Sequence, residues 1–363
     1  MFEISHEDGN ARVGVLKTKS GDIETPFFMP VATKGSIKYV PFEQAKAAGT
    51  KVIISNALLL SYVPGLEVIE HFKGIHEFMQ WDGISFTDSG GFQLLREGFF
   101  HKIIDMHISF VNPFTGKRGT FSPEDAITVQ NRLNSDVIMC LDDITPIDGE
   151  EKRVKESVTR TTAWAKRCLD AHKNKKQLLF GICQGGTDLS ERERSMKELS
   201  ALPFDGFSLG GLCIGEEKKD TYKVLELASQ VLSKNKPKYM MGAGHPLDIL
   251  AGIENGVDIF DSTYPTKSGR RNSLFTKNGF LKINSSKHAK DFGAIYEGCT
   301  CYTCKHFSRA YLYQQVKGKE PTVKIFLSIH NLHFLHSLIE EAKEAIREGK
   351  FKAFKKEFLK NWV

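Results

Sequence analysis

The chain has 363 residues, 40% of them hydrophobic, with 50 Lys and Arg against 44 Asp and Glu and a formal net charge of +6. That length fills one large domain or two ordinary ones, and the mild basic excess is compatible with a polyanionic partner without demanding one. There is no 18-residue apolar run and no charged-then-apolar leader, which excludes a membrane or secreted reading and leads us to expect a cytoplasmic protein with no membrane partner.

In chain order, residues 1–24 read as an antiparallel hairpin turning at Gly9-Asn10, a lid for the lower end of the main domain. Between residues 25 and 275 eight short apolar runs recur, at 27–31, 51–55, 84–87, 136–141, 178–182, 206–209, 238–241 and 257–260. They are continuous rather than alternating, as in strands buried on both faces of a parallel sheet. Helical stretches separate most of them. Ser122-Pro123-Glu124 opens one, with Ser122 as cap and Pro123 in the first turn; 154–173 and 220–232 carry helical apolar stripes. Eight strand–helix units over roughly 250 residues predict an α/β fold, a (β/α)8 TIM barrel, with a doubly wound open sheet as the alternative. The insert at 94–121 is broken at Gly98 and Asn112-Pro113, which suggests loops acting as a flap.

The residues at the C-terminal ends of the strands carry the chemistry. They are Asn56, Asp88, Asp142, Gln184, Gly210-Gly211, Gly242-Ala243-Gly244-His245 and Asp261. In a barrel all of these positions converge on one mouth. Asp88 ends an apolar run and opens Asp-Ser-Gly-Gly-Phe-Gln; Asp261 ends another and opens a loop that becomes basic at Lys267, Arg270 and Arg271. Two carboxylates facing one cavity suit the chemistry of a glycosidic bond.

Residues 276–330 read as a zinc-binding subdomain. Of the seven cysteines, three cluster in Cys299-Thr-Cys301-Tyr-Thr-Cys304, and His330 follows. An odd count without secretion signals argues for a reducing compartment and against a disulfide framework. Three thiolates and one imidazole close a tetrahedral Zn2+ and leave no open position, so one structural zinc is expected; His306, His333 and His336 are alternatives for the fourth ligand. Residues 331–363 read as C-terminal helices packing back on the barrel, with a stripe from Leu332 to Ile346 ended by Gly349.

Thr-Asp-Ser-Gly-Gly-Phe-Gln at 87–93, Gly-Val-Asp-Ile-Phe-Asp-Ser at 256–262, Pro-Thr-Lys-Ser-Gly-Arg at 265–270 and the Cys-x-Cys-x-x-Cys…His set together resemble the tRNA-guanine transglycosylase family, in its bacterial or queuine type. The resemblance runs from about Thr25 to the C-terminal helix. It implies a barrel with a zinc subdomain that exchanges guanine at the anticodon wobble position, in a UGU-type loop, for a free 7-deazaguanine base.

The resemblance implies that Asp261 is the nucleophile, forming a covalent bond to ribose, and that Asp88 is the general acid/base. It places the base among Ser89, Gly90, Gly91, Phe92, Asp142, Gln184, Gly211, Leu212 and Met241. RNA contacts fall on Gly242, Ala243, Gly244, His245, Pro246, Leu247 and Asp248, and on Thr266, Lys267, Ser268, Gly269 and Arg270. A homodimer is implied as well, with Phe307 and Tyr311 beside the metal cluster as an aromatic contact. Two departures stand out. Asn56 is followed by Ala57-Leu58-Leu59-Leu60 where the family often has Thr-Tyr-His-Leu, and Lys267 stands where many members carry Arg and loses bidentate geometry. A bulky Ile214, where queuine users tend to have glycine, favours the small aminomethyl base preQ1; a branched Ile144 points toward queuine. The competing readings are a non-catalytic RNA-binding subunit of the same fold, base exchange on another polynucleotide, and a metal-dependent barrel hydrolase.

Overall fold

A computed structural model describes residues 2–91, 100–112, 114–147 and 149–362. Phe2–Asp8 (β1) and Ala11–Thr18 (β2) form the expected hairpin, with Asp8 opposite Ala11. Gly9, at φ +65°, makes the turn in a conformation that side chains resist. A third strand, Gly21–Thr25 (β3), pairs antiparallel with β2, so the hairpin is in fact a three-stranded sheet.

The barrel starts with Phe27–Pro30 (β4), Val52–Asn56 (β5) and Ile84–Asp88 (β6). In the insert, Phe100–Ile103 (β7), Ile108–Val111 (β8) and Arg118–Phe121 (β9) make an antiparallel sheet of their own. This corrects the expectation of loops. Ile108 and Phe110 alternate inward along β8, and the turn after it is held by Asn112 Oδ1, which accepts the Phe114 and Thr115 N–H groups at 2.8 and 3.1 Å. Gly98 lies outside the described residues.

Val137–Met139 (β10), Leu178–Cys183 (β11), Gly206–Leu209 (β12), Lys238–Met240 (β13) and Ile259–Ser262 (β14) complete the main sheet. Its eight strands run in the order β4-β14-β13-β12-β11-β10-β6-β5, and every neighbouring pair is parallel. The two end strands meet. Val31 bridges Ile54 in parallel, and the Ala32 N–H donates to the Ile54 carbonyl at 2.7 Å. The sheet therefore closes, and the open doubly wound alternative is excluded.

Met29, Ile54, Phe86, Met139, Phe180, Ile182, Tyr239 and Ile259 fill the interior, and Phe2, Leu16 and Ile23 join the same cluster from the N-terminal strands. Those strands plug the end where the barrel strands begin. Arg12 donates to Asp258 (2.9 and 2.5 Å) and the Ser20 N–H to Asp136 (3.1 Å), and these two carboxylates lie just before β14 and β10.

Outside the sheet lie Pro123–Leu133, Glu151–Ala171, Leu189–Ser200, Lys218–Val231 and Pro246–Glu254. The first begins as expected with Pro123 in its first turn and a reciprocal Ser122–Asp125 capping box. After the barrel, Ser273–Thr276 (β15) and Gly279–Lys282 (β16) form a hairpin. The cysteine cluster follows, then the long helix Val323–Arg347, closed by Gly349 at φ +67°. That one helix runs through residue 330, where the sequence pattern suggested a boundary. It packs on the helix Tyr264–Arg270 and on the N-terminal strands. Among the described residues, no helix is long and apolar enough to cross a membrane.

Candidate active site

Strand polarity brings the C-terminal residues of the parallel strands to one rim. Asp88, the last residue of β6, stands in register with Asn56, the last residue of β5. Asn56 Nδ2 donates to Asp88 Oδ1 at 2.7 Å, and the Gly90 N–H donates to the same oxygen at 2.9 Å. Asn56 Oδ1 accepts the Leu59 N–H at 2.8 Å, which caps the short helix Ala57–Leu60 and fixes which way the amide faces. Gly90 has φ +85°, and a Cβ there would lie 2.3 Å from that of Leu58, so no other residue fits. Burial pushes the Asp88 carboxyl up to about 7; the Asn56 bond opposes this, and the charges of Asp261 and Asp142 add to it.

Asp261, within β14, has a different setting. Its Oδ1 accepts the Tyr239 hydroxyl at 2.5 Å and the Gly242 N–H at 2.9 Å. Among the described residues, Oδ2 accepts no hydrogen bond. Burial raises this carboxyl too, while the Gly242 and Tyr239 bonds pull it back. Tyr239 is fully buried, and burial, Asp261 and Asp88 all hold its proton in place. One phenol thus feels both carboxylates, as expected if they border one space.

Asp142 follows β10 and accepts Gln184 Nε2 at 2.6 Å; burial first, then the charge of Asp143, lifts it to about 7. Gln184 is wedged against the next loop, since a Cβ on Gly211 (φ +65°) would lie 2.6 Å from its Oε1. Behind it Arg192, fully buried, donates to the carbonyls of Gly186, Cys183 and Gly210 at 2.6, 2.8 and 2.7 Å, tying the ends of β11 and β12 together. Asp143 is held by Arg153 at 2.9 and 2.5 Å and by Arg160 at 2.6 Å. Ser89, Gly90, Gly91 and Leu212 are buried around this space and Met241 is half-buried; Phe92 lies outside the described residues. Beyond Leu212, the Glu216 carboxylate accepts the N–H groups of Cys213, Ile214 and Gly215 at 2.6, 3.0 and 3.2 Å, fixing a tight turn with Cys213 at φ +58°.

The two segments assigned to RNA are only partly open. Ala243, Gly244, Pro246, Thr266, Ser268 and Gly269 are buried, and a Cβ on Gly269 would strike the Leu327 carbonyl at 2.7 Å. Asp248 is taken by Lys218 (2.8 Å) and Tyr222 (3.0 Å). His245 accepts the Leu247 N–H at 3.2 Å and packs among Tyr264, Phe280 and Trp362. Gly242 and Lys267 are exposed, Leu247 and Arg270 half-buried, and Arg270 Nη1 is buried with no hydrogen-bond partner among the described residues.

Cys299, Cys301, Cys304 and His330 come together in the C-terminal region, their ligand atoms all within 4.8 Å of one another. His330 Nδ1 lies 3.7, 3.5 and 3.4 Å from the three sulfurs, while its Nε2 donates to the Phe275 carbonyl at 2.8 Å. That second bond fixes the tautomer that leaves Nδ1 free for a metal. A tetrahedral ion with thiolates at ~2.3 Å and imidazole at ~2.0 Å needs sulfur–nitrogen edges of about 3.6 Å, so the set fits. The alternatives fall away: His336 bonds Thr50 (3.0 Å), His333 bonds Thr300 (3.2 Å) and His306 lies against Tyr302 (4.6 Å between rings). Phe307 and Tyr311 stack on each other at 4.9 Å, and Phe307 also packs on Phe326 at 4.4 Å.

Two contributors went unread in the sequence. Arg192 sits in an ordinary-looking Ser-Glu-Arg-Glu-Arg helix, and Tyr239 passes for one more apolar strand residue. Neither carries a local signal of its own.

A closed parallel barrel with one buried and two half-buried carboxylates around its mouth, and its one metal-ligand cluster among the described residues outside the barrel, has the layout of a glycosyl-transferring enzyme rather than a metal-dependent barrel hydrolase. The chain belongs to the queuine tRNA-ribosyltransferase family, whose model matches residues 7–363. It is 42% identical over 357 residues to the queuine tRNA-ribosyltransferase of Staphylococcus haemolyticus, covering 98% of this chain and 94% of that protein. It is 42% identical over 354 residues to that of Thermoanaerobacter sp. (97% and 94% covered) and 39% identical over 364 residues to that of Fusobacterium nucleatum (99% and 98% covered).

Proposed function

We propose that this protein exchanges guanine at the wobble position of a tRNA anticodon for a free 7-deazaguanine base, by two displacements at the ribose anomeric carbon. The observation that carries this reading is the unequal treatment of two neighbouring carboxylates. Asp88 is lifted to about 7, where it can both give a proton to a departing base and take one back from an incoming one. Asp261 has two donors on one oxygen and, among the described residues, none on the second, the arrangement of a nucleophile. In the first step the C1′–N9 bond breaks, a C1′–oxygen bond to Asp261 forms, and guanine leaves with the proton of Asp88. In the second step a 7-deazaguanine nitrogen attacks C1′, releases the Asp261 carboxylate and returns its proton to Asp88.

Asp142 and Gln184 read the guanine-like edge: the carboxylate suits the N1–H and 2-amino donors, and the amide suits the carbonyl side. The target nucleotide has to leave its stack to reach them. Lys267 and the half-buried Arg270, whose Nη1 lacks a partner among the described residues, suit phosphates or bases of the flanking loop. The turn held by Glu216 carries the bulky Ile214; with this turn read as the lining of the 7-substituent region, that bulk supports the aminomethyl base preQ1 over queuine. The Cys3His set holds one zinc ion with a structural role, and a homodimer working in the cytoplasm completes the reading.

The test is incorporation of labelled guanine into an RNA stem-loop with a UGU anticodon loop, comparing wild type with Asp261→Ala and Asp88→Ala. Wild type should exchange and form a denaturation-resistant RNA adduct, and Asp261→Ala should do neither. No exchange by wild type would favour the accessory-subunit reading. Uptake of queuine but not preQ1 would overturn the base assignment.

A further inference from the structure

Tyr239 takes no part in the two displacements, yet it makes the shorter of the two hydrogen bonds to Asp261. It is the middle residue of β13 and fully buried, with its ring 6.4 Å from that of Phe86. Buried tyrosine hydroxyls find partners, but usually carbonyls or water. This one reaches 22 positions along the chain to a carboxylate at the mouth, with an oxygen–oxygen distance of 2.5 Å. A charged acceptor makes such a bond short and strong. The Gly242 N–H meets the same oxygen at 2.9 Å, in the loop that β13 itself leads into. The strand and the loop it leads into therefore supply both donors, both act on Oδ1, and among the described residues Oδ2 accepts none.

We propose that Tyr239 is the positioning residue of the nucleophile: with the Gly242 N–H it locks Asp261 Oδ1, so that Oδ2 is the oxygen that bonds to C1′. The inference rests on Asp261 being the nucleophile. In the covalent intermediate Oδ1 is the ester carbonyl oxygen and still accepts both donors. When the incoming base nitrogen attacks C1′ and the C1′–Oδ2 bond breaks, the electron pair returns to a carboxylate that already accepts two hydrogen bonds. The phenol keeps its proton throughout and forms no bond to substrate, so atoms and charge balance without it.

Tyr239→Phe removes the hydroxyl and keeps the ring. The expected result is a fall in kcat of about 10- to 100-fold, the scale of one hydrogen bond to a charged group, with KM for tRNA unchanged. Removing a donor from the charged form favours the neutral one, so the acid limb of the pH profile should move to higher pH by about one unit. Phe86→Leu disturbs the same packing and leaves the hydroxyl; it should lower stability and leave the acid limb where it is. Wild-type kcat and an unmoved acid limb in Tyr239→Phe would overturn the proposal, and so would an equal shift in Phe86→Leu. If Asp261→Ala still exchanges guanine, the reading of the nucleophile fails; if Asp261→Ala is dead and Tyr239→Phe is not slowed, this inference alone fails.

Discussion

The two ends of the barrel use the same residue in opposite ways. At the lower end Asp136 and Asp258 are buried and fully met. Asp258 takes two bonds from Arg12 and one from the Lys238 N–H at 2.7 Å, and Asp136 takes His76 at 2.9 Å with the N–H groups of Ser20 and Ser85 at 3.1 and 2.8 Å. Burial pushes both upward: at Asp136 those bonds outweigh it and the carboxyl ends below the ordinary range, whereas Asp258 stays raised even with Arg12 on it. At the mouth Asp88, Asp142 and Asp261 are bonded by amides, a phenol and N–H groups, with no cation on any of them among the described residues, and all three are raised. The lower end uses its donors to hold the lid in place. The upper end leaves charge unmet, where a substrate can meet it.

Substitutions at the two ends should therefore separate cleanly. The largest effect belongs to Asp261→Ala, expected to cost about four to six orders of magnitude in kcat with thermal stability kept or raised. Asp88→Asn should cost about 10²- to 10⁴-fold and flatten the pH dependence that protonation near 7 imposes, measured by exchange rates from pH 5 to 9. Arg12→Ala should do the reverse. It strands a fully buried Asp258 and should cost about 3–5 kcal/mol in urea unfolding, with kcat per folded molecule unchanged. Loss of activity without loss of stability there would break the comparison. The smallest effect is in pH dependence. A carboxyl raised in the fold binds its proton more tightly there than in the unfolded chain, so Asp88 and Asp142 make stability fall as pH rises from about 4 to about 7. Asp88→Asn and Asp142→Asn should each flatten that slope, and a slope that stays the same in both would show the raised carboxyls to be misread.

Much of this was legible in the chain because burial on both faces leaves runs such as Ile84–Thr87 with no charged residue until the strand reaches the rim. Asp88 and Gln184 stood out for that reason, and Asp142 and Asp261 as acids directly after runs that are apolar beyond Asp136 and Asp258. The strand β3 did not, since Gly21-Asp22-Ile23-Glu24-Thr25 offers a single large apolar side chain and its pairing is supplied by β2. The sheet in the insert was hidden because the break read at Asn112 is where its β8–β9 turn begins. Tyr239 and Arg192 were illegible for a different reason: what they do depends on partners brought near only when the sheet closes.

The helix Val323–Arg347 has two jobs along one side. His330 faces the cysteines with one nitrogen and the Phe275 carbonyl with the other, and Asn331, one step on, receives the Phe275 N–H at 2.9 Å and donates to the carbonyls of Pro265 and Ser273 at 2.9 and 3.0 Å. The stretch that leads away from Asp261 thus hangs from the same turn of helix that offers a ligand to the metal. An ion held by this set would fix the roll of the rod and with it the height at which Lys267 and Arg270 stand, so a chelator is expected to shift both residues without touching them.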